Sequence, residues 1–202
     1  PTGDLADAPG PLDRTPRLGG SEGRFGIIVE ARPAVVPMPK APRTVIAHFP
    51  DPHQGIAAIQ SIMPELLPSV VEFMDDAVIG AIRQHDPYPF PEGTAASIII
   101  ETDGPTDIAE AEMERIVEIL NAYGALELHT AATPEERERL WQLRRLISPS
   151  LSRIASGKMN EDVVVPLGAQ GELLRRVRAI SEEFGIAIPV YGHAGDGNLH
   201  LN

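Results

Sequence analysis

The chain has 202 residues, with 17 Lys and Arg against 29 Asp and Glu, a formal net charge of −12. That balance excludes nucleic acid as a partner, because phosphate binding needs a basic surface, while a few local Arg and Lys side chains still suffice for a small anion. There is no cysteine and only 4% aromatic residues, so thiolate metal sites and disulfides are excluded and the core must rest on Ile, Leu, Val and Ala.

Residues 1–19 read as coil, rich in Pro and Gly. They lack the basic start and apolar stretch of a secretory signal, and the chain begins without Met, as expected of a processed or excised piece. Gly20-Ser21-Glu22-Gly23-Arg24-Phe25-Gly26-Ile27-Ile28 reads as a turn before a β-rich stretch from Gly26 to Val36. Pro33, Pro37, Pro39 and Pro42 then make an extended linker. Arg43 to Phe49 is a β-branched strand. Asp51-Pro52 opens a helix as N-cap and first-turn proline, with Ile56, Ile59, Ile62 and Met63 at helical spacing. Val70 to Met74 is a second strand, followed by a short helix from Asp75 to about Gln84 and a proline-rich loop from His85 to Glu92.

Ala95 to Thr102 is a third strand, and Thr106 to Tyr123 a helix with an apolar stripe closed by Gly124. Leu126 to Thr130 is a fourth strand. Thr133 and Glu136 have capping-box spacing and start a helix that runs through Trp141 towards Pro149. Val163 to Val165 is extended, Leu167 to Phe184 helical, and Ile186 to Tyr191 a strand entering a Gly-rich end. The order from 43 to 130 predicts an α+β fold: a ferredoxin-like split βαβ antiparallel sheet with helices on one face. No run approaches the ~18 apolar residues of a membrane span.

Chemistry concentrates in two places. In Gly192-His193-Ala194-Gly195-Asp196-Gly197-Asn198-Leu199-His200, Asp196-Gly197 is a two-residue hairpin signal. It sets His193 opposite His200 and Tyr191 opposite Asn202, with both His and Asn202 on one face. Two imidazoles so placed can converge on one ion, and the glycines let a backbone approach a ligand closely. A polar hairpin with two solvent-exposed histidines fits the same residues. Upstream, Arg144 and Ser148 are four apart on one helix, a guanidinium and a hydroxyl suited to a carboxylate, although Pro149 pushes Ser148 away from helical geometry. Lys158 follows in a loop. A solvated helix, with Arg137, Arg139, Arg144 and Arg145 paired to Glu135, Glu136 and Glu138, is the competing reading.

The run Tyr191-Gly192-His193-Ala194-Gly195-Asp196-Gly197-Asn198-Leu199-His200-Leu201-Asn202 resembles the signature of the FAD-linked oxidase C-terminal domain family. That family includes glycolate oxidase flavoprotein subunits, D-lactate dehydrogenases and D-2-hydroxyglutarate dehydrogenases. The Trp-x-Leu-Arg segment at Trp141, with Lys158 and Asp162-Val163-Val164-Val165-Pro166, resembles its substrate-binding stretch. Gly20-Ser21-Glu22-Gly23 resembles the last piece of its flavin domain, with Arg24 in place of a small Thr and residues 1–18 matching poorly.

The resemblance implies a FAD-dependent oxidation of a D-2-hydroxy acid to the 2-keto acid. It implies a divalent, zinc-like metal on His193 and His200. Arg144, Ser148, Lys158 and Asn202 would hold substrate, and Gly20, Ser21, Glu22, Gly23, Gly26, Ile27 and Asn198 would lie against FAD. It further implies that residues 1–38 are the end of a FAD-binding domain with its linker, and 39–202 a cap and substrate domain cut short at its C-terminal end. A third metal ligand and a neighbouring His base are expected beyond Asn202. An electron acceptor or partner subunit follows, in a cytoplasmic protein, with peripheral membrane attachment and homo-oligomerisation left open. The alternative is a non-catalytic ferredoxin-like module that binds metal or a partner through the same hairpin.

Overall fold

A computed structural model describes residues 18–35, 42–154 and 157–202. The chain divides into two compact units, Pro1–Met38 and Pro39–Asn202. The predicted N-terminal coil and most of the proline linker lie outside the described residues. Within Leu18–Val35 there is a tight bend, with Ser21 N donating to Leu18 O and Arg24 N to Ser21 O. The strand expected from Gly26 is absent over Gly26–Val35. Its backbone pairs with no neighbouring strand among the described residues, and β-propensity without a partner makes no ladder.

The second unit is built on seven strands: β1 (Arg43–Phe49), β2 (Val70–Asp75), β3 (Ala96–Thr102), β4 (Glu127–Thr130), β5 (Glu161–Val164), β6 (Val190–His193) and β7 (Asn198–Leu201). Among the described residues five α-helices accompany them: α1 (Pro52–Ile62), α2 (Asp76–His85), α3 (Thr106–Ala122), α4 (Pro134–Ile154) and α5 (Gln170–Phe184). Asp51 caps α1 through its side chain on His53 N, and Asp75 caps α2 on Val78 N, each satisfying a backbone donor that the helix leaves open. Thr133 Oγ1 accepts from Glu136 N, and Glu136 reaches back to Ala132 N, a capping box displaced by one residue.

The sheet runs β4-β1-β3-β2-β6-β7-β5, and every pairing is antiparallel. Its first four strands, with α1 and α3 as crossovers, are the predicted ferredoxin-like unit. The one-face expectation holds only for part of the helices. Val45, Ala47, Phe73, Ile98 and Ile100 pack against α1, α3 and α5, while Ile46, Met74, Ile99 and Tyr191 pack against α2 and α4. Alternating side chains are buried on both sides, and β3 is buried along its whole length, so the central strands read as apolar runs rather than alternations. The helices α2 and α4 close the face that a bare split βαβ unit leaves open, and the candidate site is on that side.

Candidate active site

The strands β6 and β7 form the predicted hairpin, but with a longer connection, Ala194–Gly197. His193 pairs with Asn198 and His200 with Tyr191, not with each other. Tertiary contacts explain the difference. Ala194 is fully buried, its carbonyl accepts Gln170 Nε2 at 2.6 Å, and Gly195 N donates to Val71 O. These draw the loop onto β2 and α5 and lengthen it beyond the two residues that Asp196-Gly197 suggests. The register moves by two residues, which keeps every side chain on its face where a shift of one would invert it. His193 and His200 are therefore diagonal neighbours, with ring centroids 5.4 Å apart and planes nearly perpendicular. Asn202 N donates to Pro189 O, so Asn202 does not oppose Tyr191.

The glycines serve this hairpin differently than expected. A Cβ on Gly197, where φ is +83°, would meet Val165 O at 2.1 Å, and one on Gly192 would meet Asn198 O at 2.8 Å. The close approach they permit is to the protein's own backbone, not to a ligand.

Each histidine has a carboxylate directly across the sheet. Glu72 of β2 pairs with His193 in register, and Asp162 of β5 with His200. Glu72 Oε1 is 2.5 Å from His193 Nδ1, and Asp162 Oδ1 is 2.5 Å from His200 Nδ1. A carboxylate only accepts, so Nδ1 donates, and in the neutral ring Nε2 then keeps a lone pair. The hydrogen bond to His200 holds the Asp162 carboxyl below its ordinary range.

Helix α4 supplies the cationic partner. Arg144 Nε donates to Glu72 Oε2 at 2.6 Å, and its guanidinium lies 5.1 Å over the Tyr191 ring. Arg144 and His193 therefore share one buried carboxylate. Pro149 does not end this helix, which is continuous to Ile154. A mid-helix proline costs about 3 kcal/mol, offset here by buried Leu140, Leu143, Ile147 and Leu151. Ser148 thus stays helical, against expectation, and its hydroxyl accepts Lys158 Nζ at 3.0 Å. The structure brings Arg144 to the histidines, and Ser148 and Lys158 to one another.

The arginine helix is not the solvated array its composition suggests. Arg145 pairs with Glu138, but Arg137 clamps Glu101 through Nε and Nη2, and Thr44 and Trp141 Nε1 also donate to that carboxylate. Burial pushes the Glu101 carboxyl up; the hydrogen bonds from Arg137, Thr44 and Trp141 outweigh it and hold it below its ordinary range. Glu72, Asp162 and Glu101 were not among the expected site residues. Glu72 and Glu101 carried a signal, a lone acid within or ending an apolar strand run (Val70-Val71-Glu72-Phe73-Met74 and Ile98-Ile99-Ile100-Glu101); Asp162, beside Glu161, carried none.

Asn198 Oδ1 and both polar side-chain atoms of Asn202 are shielded from water without a partner. They stand on the β7 face of His200, open to a hydrogen-bond partner from outside the protein, a water or a ligand. His193 and His200, whose Nδ1 atoms are taken by Glu72 and Asp162, are the residues that could hold a divalent ion through Nε2. Among the described residues, no group of three His, Cys, Asp or Glu is gathered for a metal. In the first unit, Gly20, Glu22 and Gly23 have positive φ, Gly26 and Ile27 follow the bend, and Ser21 Oγ is shielded without a partner. That backbone can present amides to an anion or ring oxygen. No helix among the described residues is long and apolar enough to cross a membrane.

Residues 38–202 match a protein family described as FAD linked oxidases, C-terminal domain. The chain is 32% identical over 199 residues to the glycolate oxidase subunit GlcD of Bacillus subtilis (strain 168), covering 98% of the chain and 42% of that protein. It is 30% identical over 190 residues to a D-lactate dehydrogenase of Anaerostipes hadrus, covering 90% of the chain and 40% of that protein. A D-2-hydroxyglutarate dehydrogenase of Stutzerimonas stutzeri (strain A1501) is 26% identical over 188 residues, covering 91% of the chain and 40% of that protein. The chain thus spans well under half the length of these relatives. Among solved structures, alkyldihydroxyacetonephosphate synthase aligns with a TM-score of 0.56 at 16% identity over 81% of the chain and 36% of its own, a likeness of fold alone.

Proposed function

The chain belongs to the FAD linked oxidase C-terminal domain family, and from that membership we propose that it is the cap and substrate part of a FAD-dependent 2-hydroxy-acid dehydrogenase. The substrate is a D-2-hydroxy acid of the glycolate, D-lactate or D-2-hydroxyglutarate class, and the product is the 2-keto acid. The observation that carries this reading is that Arg144 and His193 share the Glu72 carboxylate while His200, on the same sheet face, is held by Asp162, next to Asn198 and Asn202. A guanidinium beside two imidazoles is what a molecule with a carboxylate and an adjacent hydroxyl needs.

In this reading Arg144 takes the substrate carboxylate. Its Nε is held by Glu72, and its Nη1 and Nη2, which make no hydrogen bond among the described residues, are left for a bidentate contact. The Ser148–Lys158 pair adds a hydroxyl and a second cation for the substrate's polar end, and Asn202 offers a donor and an acceptor to the reacting end. His193 and His200 would hold a divalent ion, which when bound lowers the pKa of a coordinated hydroxyl. FAD, when bound, would supply the redox chemistry; in the first unit Gly20, Ser21, Glu22, Gly23, Gly26 and Ile27 are the residues that would hold it. Reoxidation calls for an electron acceptor or partner subunit.

The test is substrate kinetics in the protein that carries this chain. Arg144→Met keeps the packing on Tyr191 and removes the charge. Hydrogen bonds to charged groups are worth roughly 1.5–3 kcal/mol, so KM for the 2-hydroxy acid should rise roughly 10- to 100-fold. An unchanged KM would remove Arg144 from the substrate site.

A further inference from the structure

Glu72 interrupts an apolar strand. It stands between Val71 and Phe73 in β2, its side chain only 5% exposed. Strand alternation puts it on the face of Met74, alongside Ile46, Ile99 and Tyr191, where an aliphatic side chain would pack with no desolvation cost. A carboxylate there is a poor device for stability, since buried ion pairs are often matched or bettered by apolar side chains of similar volume. What the carboxylate has instead is one partner from each of two elements, with each oxygen used once. Oε2 accepts Arg144 Nε from α4 at 2.6 Å, and Oε1 accepts His193 Nδ1 from β6 at 2.5 Å.

We propose that Glu72 is a positioning residue that sets the substrate-binding guanidinium and a metal-binding imidazole together, one carboxylate oxygen for each; this rests on the function proposed above. On Arg144, the bond through Nε and the stacking on Tyr191 fix the plane of the guanidinium while Nη1 and Nη2 stay uncommitted. On His193, the bond to Nδ1 selects the tautomer whose Nε2 can bind a cation, the role a carboxylate takes behind a metal-binding histidine. Asp162 does the same for His200, but its further hydrogen-bond partner is Asn160 and no arginine. Among the described residues, Glu72 is the group that ties the two functions to one side chain.

The full chain is tested with zinc alone as the probe. Long-range proton–nitrogen spectra of the zinc-free chain, taken above the titration range of histidine, should show His193 as the Nδ1–H tautomer. A predominant Nε2–H tautomer overturns the proposal, and this measurement needs no substitution. Glu72→Gln keeps the shape but leaves one accepting oxygen for two donors. It should weaken zinc binding 10- to 100-fold and shift His193 towards mixed tautomers. Glu101→Gln, which disturbs the other carboxylate clamp of α4, should leave zinc affinity unchanged. Equal losses in the two variants would make Glu72 a structural residue only. If His193→Ala and His200→Ala abolish zinc uptake while Glu72→Gln does not alter it, the role of Glu72 fails and the metal reading stands. If none of these substitutions alters zinc binding, the metal reading fails.

Discussion

His48 and Asp75 are buried groups that titrate in opposite directions. His48, in β1, is 3% exposed and bonded to Ser97 Oγ at 2.7 Å, with Phe90 edge-on. Burial, with a contribution from Arg83, lowers its pKa to about 4. The unfolded chain therefore takes up this proton first on acidification, and stability falls as pH drops from about 6.5 to about 4, by about 3 kcal/mol in all. Asp75 is raised by burial to about 7, so the folded chain holds its proton longer and its contribution falls as pH rises from about 4 to about 7. The windows overlap and offset in the intact protein. Urea unfolding of His48→Gln beside the parent should expose this: relative to the variant, the parent should lose stability as pH falls through that window. Parallel pH profiles would mean that His48 is not held neutral by the fold.

The hairpin shows how far local signals reach. Its existence and its two histidines on one face were legible in Asp196-Gly197, but the strand leading into it, expected over Ile186–Tyr191, is Val190–His193 and begins only at the end of that apolar run. Its register was not, because the turn length is set by Gln170 and Val71, residues distant in sequence. The helix from Thr133 was legible from its cap, but its passage through Pro149 depends on burial against α2 and Tyr191, which no propensity records. Arg144 and His193 were each singled out by residue type and motif. Their meeting on Glu72 needed the β2–β6 pairing, which joins residues 72 and 193, and the packing of α4 on that face, which brings residue 144. Gly197 tests the hairpin as a unit. With Val165 O in the way of any Cβ and φ positive, Gly197→Ala should cost about 3 kcal/mol and weaken zinc uptake with it. A thermal midpoint equal to the parent's would show that the hairpin does not dock on Val165 as described.

The split βαβ sheet carries the cores on both faces, and the strands added at its β2 edge carry the histidines. The second layer of helices, α2 and α4, is what turns a generic sheet into a site, because it brings an arginine over a strand that already holds a carboxylate. A net charge of −12 opposes an anion at long range, but screening confines that field to about 8 Å at physiological salt, so under the proposed function Arg144 and Lys158 would set the approach of a carboxylate locally. The most direct measurement is the absorbance of the purified protein that carries this chain, before and after a D-2-hydroxy acid is added without an electron acceptor. A yellow flavoprotein that bleaches, with bleaching slowed by Arg144→Met, is the predicted result. A colourless protein, or a flavin that D-lactate, glycolate and D-2-hydroxyglutarate all leave oxidised, would contradict the account and favour a non-catalytic binding module.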